Sequence, residues 1–101
     1  ATVRAYVAIS MSNDPKVVEF NNVKRMAQIT KIPVLDIYGS QDLDSVLRFS
    51  KERELAGKKA NKNYKQIMLK GADHFYVSKN EPLLKIIRLW LLKNAAGKEI
   101  K

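Results

Sequence analysis

The stretch IPVLDIYGSQDLD, from Ile32 to Asp44, constrains the fold more than any other part of the chain. It enters at Pro33, runs through strand-forming residues to Tyr38, and breaks at Gly39. A proline is tolerated at the first residue of a strand, where no ladder donor is needed. Near-continuous apolar runs of this kind belong to strands buried on both faces, which are the strands of parallel sheets. Asp42 and Asp44 follow directly. Polar groups belong there, because ligands of open α/β sheets bind outside the carboxyl ends of the strands.

The remainder alternates around this strand. Val3 to Ile9, VRAYVAI, reads as a strand, and Ser10 to Asn13 as a polar turn. Asp14 and Pro15 resemble a helix start. Val17, Phe20, Val23 and Ala27 recur at helical spacing, which predicts a helix over 15–29 that Asn21 and Asn22 weaken. A second helix is expected from Asp44 to Gly57, with Val46, Phe49, Arg53 and Ala56 along one side. Lys65 to Leu69 gives a short third strand, and 71–79 a loop carrying His74. Asn80 is expected to cap a last helix with Pro82 in its first turn. Leu83, Leu84, Ile87, Trp90 and Leu91 form its apolar face, which ends near Gly97. Strands separated by helices imply βαβ units, and right-handed crossovers then set the strands side by side in chain order. The predicted fold class is therefore α/β, with three parallel strands in chain order and alternating helices. The 101 residues allow one such unit.

Composition removes several function classes. There is no cysteine, so no disulfide, thiol nucleophile or cysteine metal site is expected, and a single histidine gives no His-rich one. No metal and no cofactor is expected. No apolar run approaches the 18 residues of a membrane span. The start, ATVRAYVAIS, is not a signal peptide, so any targeting signal is expected upstream of Ala1. Nineteen Lys and Arg against ten Asp and Glu give a net charge of +9. That balance invites a nucleic-acid reading. The lysines are spread along the chain, however, and Tyr6, Tyr38 and Phe49 sit where a core needs them rather than on a stacking platform. The densest group is Lys58, Lys59, Lys62 and Lys65. Lys58 and Lys59 also complement a helix C-terminus, which is a structural reason for both.

Two positions carry the candidate chemistry. Asp42 follows Gly39 by three residues and His74 follows Gly71 by three, each just past a strand. Adjacent parallel strands would bring both to one edge of the sheet. There an acid can orient an imidazole that takes a proton from a hydroxyl nucleophile. In this arrangement IPVLDIYGSQD resembles the acid-bearing strand of an α/β-hydrolase, GADHFY its histidine loop, and EPLLKIIRLWLLKNA its last helix. The family order is nucleophile, acid, histidine, with the acid and histidine about as far apart as Asp42 and His74 are here. The opening AYVAIS would correspond to the strand after the nucleophile-bearing one. The likeness covers nearly the whole chain.

One departure is decisive for activity. There is no G-x-S-x-G, and Ser10 and Ser12 follow the first strand without flanking glycines. The resemblance thus implies a C-terminal part of a serine hydrolase that supplies Asp42 and His74. Nucleophile, oxyanion hole and most of the acyl pocket would lie upstream, and the chain alone would be inactive. It further implies an uncapped strand edge, Val3 to Ile9, that pairs with the missing N-terminal portion or with a second copy. The small acyl substrate would be bound only by the joined protein.

Bland readings stand beside this one. The chain could be a non-catalytic α/β interaction module or a structural domain. His74 could be a hydrogen-bonded loop residue, and Asp42 a turn or capping residue. Asp44 fits a helix cap better than a catalytic acid, and Asp73 fits a turn. Asp36, inside a covered strand, needs a basic or hydroxyl partner, with Arg4 on the neighbouring strand one candidate. Trp90 belongs to the core.

Overall fold

A computed structural model describes residues 4–96. Three parallel strands form one sheet in the order β1 (Tyr6–Ile9), β2 (Val34–Gln41), β3 (Tyr64–Asp73). The helices are α1 (Asn22–Gln28), α2 (Asp44–Leu47), α3 (Ser50–Ala60) and α4 (Asn80–Leu91), with a short 3-10 turn at Val18–Phe20 and a π turn at Leu92–Ala96. The α/β class, the parallel pairing and the strand order are those expected from the alternation of elements.

The two faces of the sheet follow from the period of two along each strand. Leu35 and Ile37 of β2 point to one side, where Leu83 and Trp90 of α4 cover them together with Ala72 and Tyr76. Ala8, Val34 and Tyr64 point to the other and pack with Met26 of α1. β2 is the central strand, and its residues Val34 to Ile37 are all buried.

Asp36 lies on the α1/α3 side at 0% exposure. Its Oδ2 accepts from Arg53 Nε at 3.1 Å, Tyr64 OH at 2.5 Å and Gln66 Nε2 at 3.2 Å. The basic and hydroxyl partners expected for this carboxylate come from α3 and β3. Arg53 is itself fully buried and also donates to the Val46 carbonyl at 2.9 Å. Burial and the Asp36 charge hold the Tyr64 phenol well above its ordinary range, so it stays a donor. A buried charge survives only when paired and hydrogen-bonded, and this group ties α3 and β3 to the middle of β2.

Several boundaries differ from the sequence reading. Asp14 and Pro15 do not open a helix. Asp14 Oδ1 instead accepts from Lys16 N in a local turn. The helix starts at Asn22, with the Asn21 side chain accepting from Lys24 N at 3.2 Å. The asparagines that weaken an interior are favoured at a start for the same reason: their side chains bond the backbone. The predicted second helix is two, α2 and α3, broken around Phe49. Asn80 is not the cap of α4 but its first residue, and Lys79 precedes it without a side-chain cap bond. Asp44 likewise is the first residue of α2; it pairs with Arg48 at 2.5 Å instead of capping. Leu84 is 63% exposed, and Ile86 joins Ile87 and Leu91 against the core in its place. The first strand begins at Tyr6, since Arg4 and Ala5 are not part of it; Val3, its expected start, and Gly97, the expected end of the last helix, lie outside the described residues.

β3 is ten residues long, far longer than the short strand expected. Gly39 pairs with Leu69 but Gln41 with Asp73, so two steps on β2 match four on β3. The extra residues form a bulge, which re-aims the strand end. Gly71 sits there at φ 81°, in the left-handed region that favours glycine, and donates its N–H to Ser40 Oγ at 2.7 Å. Opposite it, a Cβ on Gly39 would stand 2.1 Å from the Ala72 carbonyl oxygen. The two glycines let β2 and β3 approach closely where the register changes.

Removing the guanidinium of Arg53 strands Asp36 without its cation. Arg53→Ala is expected to lower unfolding free energy by about 3–5 kcal/mol in urea titration. Arg48→Ala, on an exposed pair, is expected to change it by under about 1 kcal/mol. Equal effects would contradict the account of Asp36.

Candidate functional site

The bulge has a consequence for the strand ends. β2 ends at Gln41 and β3 at Asp73, and these two residues are partners. The next residue on each strand is Asp42 and His74. His74 Nδ1 lies 2.8 Å from Asp42 Oδ1. The acid and the imidazole predicted from sequence therefore meet at the C-terminal edge of the sheet.

The Asp42 side chain is fully buried, whereas His74 is 31% exposed. The carboxylate is surrounded by donors. Leu43 N–H reaches Oδ1 at 2.8 Å, and Gly39 N–H reaches Oδ2 at 3.3 Å. Ser10, the first residue after β1, donates its hydroxyl to Oδ2 at 2.5 Å. Burial pushes the Asp42 carboxyl upward, but the bonds from Ser10, His74, Leu43 and Gly39 outweigh it and leave the pKa lowered. Asp42 is thus held as a carboxylate. With Nδ1 facing that carboxylate, Nε2 is left outside this bond.

Tyr76 completes the group. Its hydroxyl lies 2.8 Å from Ser10 Oγ. Because Ser10 gives its proton to Asp42, Tyr76 is the donor in this second bond. Burial raises the Tyr76 pKa, Ser10 pulls it down, and the charges of Asp42 and Asp36 add to the rise. Ser10 and Tyr76 both hold positive φ, 55° and 57°, as does Ser78 at 59°. For residues other than glycine this backbone is uncommon, and it clusters at sites where the surroundings over-determine it.

Asp73 stabilises the turn, as expected: its Oδ1 accepts from Phe75 N–H and Val77 N–H at 3.0 and 3.2 Å. That turn leaves Phe75 80% exposed, in an edge contact with the His74 ring at 5.3 Å. Sequence reasoning reaches Ser10 only as a serine without flanking glycines, and it does not reach Tyr76. The signal for Ser10 was present, because it stands directly after a strand as Asp42 and His74 do. Tyr76 offered only its place two residues beyond the histidine.

Among the described residues no group of three or more His, Cys, Asp or Glu is placed to hold a metal ion. No described helix is long and apolar enough to cross a membrane. No protein-family model and no curated protein matches the chain.

The lowered pKa of Asp42 makes a signed prediction. A carboxyl depressed by folding contributes stability that is present above its unfolded value and lost as pH falls through its folded value. Stability should therefore fall as pH drops below about 3.8, the ordinary value for this group. Asp42→Asn should lack that part of the acid limb. Urea midpoints across the acid range test this, and identical acid limbs in the two proteins would contradict it.

Proposed function

We propose that this chain is the acid-and-histidine part of a serine hydrolase of the α/β-hydrolase type, acting on an ester or similar acyl substrate. In this reading Asp42 orients His74 and stabilises the imidazolium that forms during catalysis. Nε2 takes the proton from a serine that is supplied from outside these residues, and later returns it to the leaving group. The chain is inactive without that serine and without an oxyanion hole.

The observation that carries the reading is the 2.8 Å bond between Asp42 and Nδ1 of a partly exposed His74. What supports it is an imidazole held through Nδ1 by a fully buried carboxylate, with Nε2 left outside that bond. Ser10 is not the nucleophile in this reading. Its hydroxyl is spent on the acid rather than the base, and the residue is 8% exposed.

The test is covalent labelling of the protein joined to whatever segment its reading frame encodes upstream. A fluorophosphonate probe is expected to label a serine there, and His74→Ala is expected to abolish the labelling. Asp42→Asn is expected to slow it by about 10⁴-fold, the effect of presenting the wrong tautomer to the nucleophile. Undiminished labelling of the His74 variant would refute the assignment.

The same reading concerns the sheet edge. β1 pairs with β2 on one side only among the described residues, and Ile9 is 44% exposed. We take this edge as the place where the nucleophile-bearing strand, or a second copy of the chain, adds on. Sedimentation of the chain by itself is expected to show association that grows with concentration. A monodisperse monomer at high concentration would count against it.

A further inference from the structure

A hydroxyl pair stands behind the acid, on the side away from the imidazole bond. Asp42 presents Oδ1 to His74 and Leu43 N–H, and Oδ2 to Ser10 and Gly39 N–H. Two of these four donors are backbone groups, fixed by β2 and its turn. The other two are side chains, one from the end of β1 and one from the turn after β3. Ser10 is fixed in its turn by Tyr76, which sits 66 residues along the chain and 4% exposed in the core. We propose that Ser10 and Tyr76 are positioning residues for the Asp42–His74 pair: the tyrosine orients the serine hydroxyl, and the serine keeps Oδ2 bonded so that Oδ1 faces the imidazole.

The chemistry requires such a device. Without Ser10, Oδ2 would keep only the longer 3.3 Å bond from Gly39 N–H. A buried carboxylate so weakly held on one oxygen could rotate or take a proton, either of which would end its service to Nδ1–H. A neutral donor satisfies the second oxygen without cancelling the charge that the imidazolium needs. A lysine or arginine there would compete with His74 for that charge. Hydrogen bonds in series also polarise one another, so the Tyr76 bond strengthens the one from Ser10. The backbone agrees with a dedicated role. Both residues adopt positive φ, which costs free energy and persists where something holds it.

Among the described residues, each strand end brings groups to Asp42, directly or through Ser10. β1 brings Ser10, β2 its own amides, and the turn after β3 brings His74 and Tyr76. Asp36 acts on the Tyr76 phenol through its charge. The inference deepens the hydrolase reading and rests on it for the use of the pair, but its test needs no substrate.

The experiment is a carbon-13 NMR titration of the Asp42 carboxyl in the full chain. Three proteins are compared: wild type, Ser10→Gly and Tyr76→Phe. Glycine accepts the positive φ at position 10, so that variant removes the hydroxyl without adding strain. Phenylalanine keeps the buried ring of Tyr76 and removes only the oxygen. The Asp42 midpoint is expected to move to higher pH in both, more in Ser10→Gly than in Tyr76→Phe. The proton on His74 Nδ1 is expected to move with it in the proton spectrum. A midpoint unmoved in a folded variant would overturn the proposal and reduce the hydroxyls to packing. If Ser10→Gly does not fold, Tyr76→Phe alone decides by the same criterion. A failure here leaves the hydrolase reading standing on its labelling test. Failed labelling with a shifted midpoint would instead show a positioned pair with another use.

Discussion

A single carboxylate gathers the ends of all three strands. Asp42 accepts from Ser10 after β1, from Gly39 and Leu43 around the end of β2, and from His74 after β3. Each of these bonds depends on strand register. A slip of one residue would turn every side chain of a strand to the opposite face, and a missing bulge would leave β3 two residues out of step with β2. The parallel sheet is what allows one acid to be reached from three directions at once. The bulge at Gly71, with the close approach at Gly39, brings the histidine level with it.

β2 carries a second buried carboxylate, and the contrast between the two explains their different chemistry. Asp36 is held by Arg53, a cation at any pH, with Tyr64 and Gln66 beside it. That arrangement fastens α3 to the sheet. Asp42 is held by neutral hydroxyl and amide donors and by an imidazole, whose charge can change. Both acids are buried, but only Asp42 is joined to an imidazole. A structural ion pair and a candidate catalytic pair thus sit six positions apart, one on β2 and one just past its end. The permanence of the partner's charge separates their roles.

The fold was legible because its signals are strong and redundant. The alternation of apolar runs and helical periods gave three parallel strands, and the strand ends after Gly39 and Gly71 gave the meeting of Asp42 and His74. What escaped was set by tertiary context. Pro15 looked like a helix start, yet Asn21 captured that role because its side chain reaches Lys24 N–H. β3 looked short because Lys70 and Gly71 interrupt its apolar pattern, and pairing with β2 carried it across a bulge that no local propensity encodes. Arg53 read as one position on a helix face, and its burial became intelligible only with Asp36 beneath it. Ser10 was seen as a serine without glycines and set aside as a nucleophile. Its actual partner, 32 residues away, is visible only once the strands are laid side by side.

The central claim is that Asp42 holds the His74 ring in one tautomer, with the proton on Nδ1 and Nε2 free to accept another. Nitrogen-15 NMR of His74 in its neutral form measures this directly. The account predicts a signal pattern with Nδ1 protonated and Nε2 bare, lost in Asp42→Asn. A neutral ring with its proton on Nε2, or a pattern unchanged by that substitution, would contradict it.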